Sequence, residues 1–129
     1  MTKFAKDLDS NKKLKSFLEG FYKISDTKPP VQGDEYVDYF TPEATLLLGA
    51  NQAKGSSEIR QLRQNIWSNV SKRHHVVHNV AAVNDTDVLL NGDVDYVLND
   101  GSSSTKSWGA YIEFESPAQE KMKYYRVYI

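Results

Sequence analysis

Cysteine is absent from the 129-residue chain, which removes disulfide staples, thiolate nucleophiles and cysteine-ligated zinc or iron–sulfur centres in one step. An excess of either charge sign is missing too. Sixteen Lys and Arg stand against seventeen Asp and Glu, for a formal net charge of −1, so there is no bulk electrostatic footprint for nucleic acid or an anionic membrane. Nor is there a long apolar run: no segment reaches the roughly 18 apolar residues of a membrane span. The charged start, MTKFAKDLDSNKKLK, lacks the apolar stretch of about seven to fifteen residues that a secretory signal needs. The expectation is a soluble, cytoplasmic protein with no membrane and no nucleic-acid partner. Glycine-rich phosphate loops, a Walker motif and a serine-nucleophile elbow are also lacking, and nothing repeats internally.

What is present suffices for one core. At roughly 150 residues per domain, residues 1–129 form a single domain, and 40% hydrophobic with 12% aromatic residues place it among compact globules. Residues 1–9 precede any periodic pattern and read as a flexible N-terminal segment. From Leu14 onward, Leu14, Phe17, Leu18, Phe21 and Tyr22 recur at spacings of three and four, an amphipathic helix capped by Ser10 or Asn11. It ends in the polar, proline-paired run Ser25 to Pro30. A second, short helix is expected from Gly33-Asp34 to Thr41-Pro42, since a residue before proline is pushed away from helical angles. Ala44 to Leu48 reads as a buried strand. Gly55-Ser56-Ser57 opens a third helix with a serine cap and Glu58 in its first turn, burying Ile59, Leu62, Ile66, Trp67 and Val70. Strand-like runs follow at 73–83, 87–98, 105–114 and 121–129, separated by turn residues such as Asn99-Asp100-Gly101.

Helices segregated before hairpin-connected strands imply an α+β domain, with three helices on a mostly antiparallel sheet. Long twisted strands curl, and a strongly curved sheet capped by helices makes a cone suited to a small apolar ligand.

Four segments carry a family resemblance: YVDYFTPEATLLLG, KGSSEIRQLRQNIW, RHHVVHNVAAVNDTDVLLNGDVDYVL and KMKYYRVYI. In this order and spacing they resemble a SnoaL-like member of the nuclear transport factor 2-like superfamily, over nearly the whole chain from Leu14 to Ile129. The resemblance implies a cone-shaped α+β barrel, usually dimeric through its sheet, with a ligand cavity between sheet and helices. It implies no single chemistry. The ketosteroid isomerases' general-base aspartate falls on Leu47 or Leu48 here, and their helix-one tyrosine falls near Phe17. The Asp–Arg–Asp arrangement of limonene-epoxide hydrolases has no evident counterpart. One histidine of scytalone dehydratase matches His75, whereas its second falls near Gly92 or Asp93, and FLEGFY lacks its Tyr-x-Asp.

Three histidines, His74, His75 and His78, are the most pointed chemical feature. Alternate strand residues share a face, so His74 and His78 lie opposite His75, which excludes a three-histidine zinc site from this strand alone. No metal and no cofactor are expected. In the preferred phase His75, Val77, Asn79 and Ala81 face the cavity, and His74, Val76, His78 and Val80 form an outer, half-apolar face suited to a homodimer; the opposite phase stays open. His75 is then the acid or base, because imidazole titrates near neutrality. Asn79, Tyr22, Tyr36, Trp67, Val77 and Trp108 are the expected ligand-binding residues. Asp93 and Asp95 read as a solvated or dimer-rim pair. Lys121, Lys123 and Arg126 read as protection of an edge strand.

Two function classes follow. One is a small-molecule site, either an enzyme of lyase, isomerase or cyclase type or a carrier of an apolar or polyketide-like compound. The other is a non-catalytic protein-interaction module resembling nuclear transport factor. A cavity of several hundred Å³ favours the first and a filled cone the second.

Overall fold

A computed structural model describes residues 1–129. Helix α1 (Lys12–Ser25) starts at Asn11, whose side chain accepts from the Leu14 amide and so satisfies one of the donors that a helix start leaves free. Its stripe of Leu14, Phe17, Leu18, Phe21 and Tyr22 is buried. The expected second helix is instead a 3-10 turn, Glu35–Tyr39, capped by Asp34. The chain is already extended at Phe40, where β2 (Phe40–Leu48) begins. Pro42 lies where the ladder is irregular, between Phe40 and Thr45, a place that tolerates a residue without an amide hydrogen. There are therefore two α-helices, not three.

A short strand that the sequence does not announce, β3 (Asn51–Lys54), folds back on β2. It leads into α2 (Gly55–Ile66). Gly55 enters with φ of 82°, a left-handed angle that favours glycine. The expected serine cap is not used. Glu58 reaches back instead and accepts from the Lys54 amide at 3.0 Å. Strands β4 (Val70–Ala82), β5 (Asp87–Leu98), β6 (Ser103–Phe114) and β7 (Met122–Tyr128), with the N-terminal β1 (Lys3–Phe4), complete one sheet, ordered β1-β4-β5-β6-β7-β2-β3. It is mixed: β1 runs parallel to β4 and β2 parallel to β7, with the other junctions antiparallel. β7 is consequently an interior strand, and Lys123 pairs with Glu113 at 2.9 Å rather than guarding an edge.

The N-terminal segment, expected to be flexible, is docked. Lys3–Phe4 forms β1 beside Asn79 and Val80, the Thr2 hydroxyl donates to the Val77 carbonyl at 2.7 Å, and Leu8 is buried. This covers backbone groups that an open edge of β4 would expose.

Side-chain phase along β4 shifts twice, between Val70 and Lys72 and again between Val77 and Asn79. Val77 lies opposite Gly92 and Asn79 opposite Asn91, which leaves His78 as the extra residue of a β-bulge. Arg73, His75 and Val77 face inward, and beyond the bulge the inward set continues with Val80 and Ala82. Asn79 and Ala81 are turned out and exposed, while Val80 is buried. The strict two-residue period therefore fails at His78. It misplaces Asn79 in the cavity and Val80 on the outer face. Gly92 is what allows the close approach, because a Cβ there would overlap the Val76 carbonyl oxygen and crowd Trp108.

The core packs α1 and the 3-10 turn against the sheet. Phe21 has six aromatic neighbours, Phe17, Tyr22, Tyr36, Tyr39, Phe40 and Tyr125, with ring centroids within 5.9 Å. Burying such a side chain contributes about 1.5–3 kcal/mol. No helix is long and apolar enough to cross a membrane.

Candidate functional site

Between the inner face of the sheet and α2 lies a cavity of about 480 Å³, with eleven hydrophobic residues among the eighteen that line it. Val94, Leu98 and Val127 form apolar wall. Tyr36, Arg63, Arg73, His75, Lys106 and Trp108 are among its polar or amphipathic members, and no Asp or Glu lines it.

His75 enters this wall from β4 in the grip of Asp26, the first residue past α1. One Asp26 carboxylate oxygen lies 2.5 Å from the His75 Nδ1, and the other accepts from the His75 backbone amide at 2.9 Å. A carboxylate at Nδ1 keeps the proton there, so the Nε2 lone pair is the one free to take a proton. The pair is largely shielded, with side-chain exposures of 16% for His75 and 18% for Asp26. His74 stands 3.8 Å from the same carboxylate with its ring 70% exposed. Around His75, the Tyr22 ring lies 5.2 Å away and the Trp108 ring 5.6 Å away, centroid to centroid. The Tyr22 and Tyr125 hydroxyls share a hydrogen bond of 2.9 Å. Burial pushes the phenols of Tyr22, Tyr36 and Tyr125 well above the ordinary tyrosine value, so all three are neutral hydroxyls at physiological pH.

Two arginines of opposite character sit nearby. Arg63 is 1% exposed. Its Nε donates to Asp34 at 2.7 Å, and its other nitrogens donate to the carbonyls of Ile24, Ser25 and Thr27, closing the C-terminal end of α1. Arg73, on β4, stacks on the rings of Trp67 and Tyr96 at 4.9 and 5.2 Å. Burial pushes its guanidinium below the ordinary arginine value. Its Nε is buried without a hydrogen-bond partner, as are the indole nitrogens of Trp67 and Trp108.

Of the residues expected from the sequence, His75, Tyr36 and Trp108 meet in the cavity wall. Tyr22 stands behind His75 and, with Val77, Asp26 and His74, lines a second depression of about 950 Å³ with five hydrophobic residues among fourteen. Trp67 is 2% exposed beneath the end of α2 and serves as a platform for Arg73, so it does not touch the cavity. Asn79 is bonded to Asn91 at 3.0 Å on the outer face, displaced by the bulge. Asp26, Arg73 and Tyr125 were not anticipated. A signal existed for Asp26: an acidic residue at a helix C-terminus opposes the macrodipole, so its position asks for a compensating partner.

No family model matches this chain, and no curated protein does. Solved structures do. An NTF2-like protein of unknown function from Exiguobacterium sp. 255-15 is 16% identical, with 86% of this chain and 95% of that one covered at a TM-score of 0.72. A protein with a ketosteroid isomerase-like fold from Catenulispora acidiphila, in complex with trimethylamine, is 9% identical over 88% of this chain and 84% of that one, with a TM-score of 0.75. An NTF2-like protein from Anabaena variabilis is 14% identical over 99% and 92%, with a TM-score of 0.73. The chain has the NTF2-like, ketosteroid isomerase-like fold.

Proposed function

We propose that the protein binds a small, largely apolar molecule in the cavity between sheet and helices, and that His75, oriented by Asp26, is the acid–base group that acts on it. The observation that carries this reading is the His75–Asp26 pair set in the wall of a 480 Å³ apolar cavity. A neutral imidazole with Nδ1–H held by a carboxylate presents a basic Nε2. It can take a proton from a C–H or O–H group, and Asp26 then stabilises the imidazolium until the proton is returned. The neutral hydroxyl of Tyr36, which lines the same cavity, is a donor for an oxygen of the ligand, while the Tyr22 hydroxyl, bonded to Tyr125 behind His75, supports the wall. Such a set suits lyase, isomerase or cyclase chemistry of the SnoaL-like kind. Leu47 and Leu48, where the isomerases' aspartate would stand, favour His75 over a carboxylate base. The sheet and helices act in this reading as a cone around the ligand. A cavity of this size supports small-molecule binding over a protein-interaction module, in which a filled interior is expected.

A homodimer through the outer sheet face, where His78 and Ser107 each hydrogen-bond to the Asp93 carboxylate, belongs to the same proposal. Light scattering tests it against a monomer mass of 14.7 kDa.

The test of function is a melting-temperature screen against apolar carbonyl and polyketide-like compounds, followed by His75→Gln. With any turned-over compound, the variant should lose at least about tenfold in turnover while melting within a few degrees of wild type. Retained turnover with a lowered melting temperature would make His75 a structural residue.

A further inference from the structure

We propose that the ligand is an organic anion, an apolar body carrying one carboxylate or sulfonate, and that Arg73 is the residue that recognises the charge. This rests on the ligand-binding reading above.

The contrast between the two arginines carries it. Arg63 shows what a structural buried arginine looks like in this chain: a carboxylate on Nε and three carbonyls on the terminal nitrogens. Arg73 has none of that. Its one hydrogen bond is a long contact of 3.4 Å from Nη2 to the Ile66 carbonyl, no carboxylate lies within ion-pair distance, and Nε is buried unpartnered. With Nε buried unpartnered and one long bond from Nη2, the guanidinium has donor capacity that the protein does not use. The field of Asp26 reaches Arg73, yet both Asp26 oxygens are occupied by His75.

The surroundings point the same way. All three buried side-chain nitrogens without partners are donors, and two of them, on Arg73 and Trp108, belong to residues of the cavity wall. Lys106 and Arg63, the latter already paired with Asp34, are the other cationic side chains of the lining, and no Asp or Glu side chain opposes them. The site thus offers positive charge over an apolar floor, with no side-chain carboxylate to pair with a cationic ligand. Trp67 and Tyr96 hold the guanidinium by cation–π contact at 4.9 and 5.2 Å, which positions it in the wall to pair with an anion.

A matched pair of fluorescent probes tests this. Anilinonaphthalenesulfonate and phenylnaphthylamine share a skeleton and differ by the sulfonate. Wild-type protein should bind the sulfonate at least about tenfold more tightly. Arg73→Met should remove that preference while leaving phenylnaphthylamine affinity within about threefold, and Arg73→Lys should keep part of it. If Arg73→Met does not fold, Arg73→Lys and a salt titration of wild type take its place. Salt should then weaken only the sulfonate probe. Equal affinity for the two probes, or a sulfonate preference that survives loss of Arg73, overturns the anion inference and leaves the cavity reading standing. Binding of neither probe overturns the cavity reading, and this inference with it.

Discussion

Replacing Arg63 by Met keeps an unbranched apolar stem but deletes the guanidinium at the most completely buried charged site in the fold. The side-chain exposures of the Arg63–Asp34 pair are 2% and 1%. Its removal leaves Asp34 as an uncompensated buried charge, a situation that costs about 3–5 kcal/mol. The carbonyls of Ile24, Ser25 and Thr27 lose their donors as well, although those nearer the surface can turn to water. The expected loss is about 4 kcal/mol, a large part of the 5–15 kcal/mol that holds a typical domain. In a chain of this size it corresponds to a fall in melting temperature of roughly 10–20 °C. Urea unfolding followed by circular dichroism reads the loss directly. Arg63→Met/Asp34→Asn should cost less than the two single changes added together, since the orphaned charge is gone. A single-variant loss under about 1 kcal/mol would refute the reasoning. Because Asp26 follows directly on the turn that Arg63 secures, the His75 ring resonances should shift in the same variant.

Three further outcomes are expected. Tyr22→Phe and Tyr125→Phe should each cost about 1–3 kcal/mol by leaving the other hydroxyl buried and unpaired, and the double variant should cost less than their sum in a double-mutant cycle. Gly92→Ala should lose at least about 2 kcal/mol by urea unfolding, because the new methyl meets backbone rather than a movable side chain; an unchanged midpoint would show that the bulge can open at no cost. For Asp87, burial alone raises the carboxyl, but hydrogen bonds from Tyr111, Thr86 and Asn84 outweigh it and hold the pKa below the ordinary value, while the Tyr111 phenol is pushed up to about 12. A depressed carboxylate stabilises the fold fully above its unfolded pKa of roughly 3.9 and progressively less as pH falls through the folded value. The stability gap between wild type and Asp87→Asn should accordingly shrink below about pH 4, and a constant gap would contradict the assignment.

The periodic elements could be read from the sequence because their signal is local. The three-four spacing from Leu14 to Tyr22 becomes α1, and the run from Asp87 to Leu98 becomes β5 residue for residue. What escaped depends on contacts distant in sequence. The segment at 35–40 has helix-like apolar spacing, yet Phe40 is drawn into a ladder with Met122. Arg63 occupies a core position of α2 that a hydrophobic stripe would not assign to a charge, since its partners lie 29 to 39 residues away. The same holds for the site. His75 stands out by its titration range alone, whereas Asp26 reads as turn chemistry until β4 is folded against the end of α1, 49 residues off in sequence. Strict alternation along β4 points Asn79 into the cavity, and that alternation breaks at His78.

The bulge at His78 also inverts the usual arithmetic of strand editing. Removing one residue from a strand ordinarily exchanges the faces of everything on one side of the cut. Here the inward residues His75 and Val80 are five apart, an odd interval that only the surplus residue reconciles with a shared face. Excising His78 would restore an even count, so Asn79 and Val80 would stay on the sides they occupy now while the strand straightens. A deletion at another point between His75 and Val80 would remove the same surplus once the ladder slides by one residue, so this stretch of β4 holds slack of one residue. Its position is fixed by the single partner, Gly92, that leaves room for it.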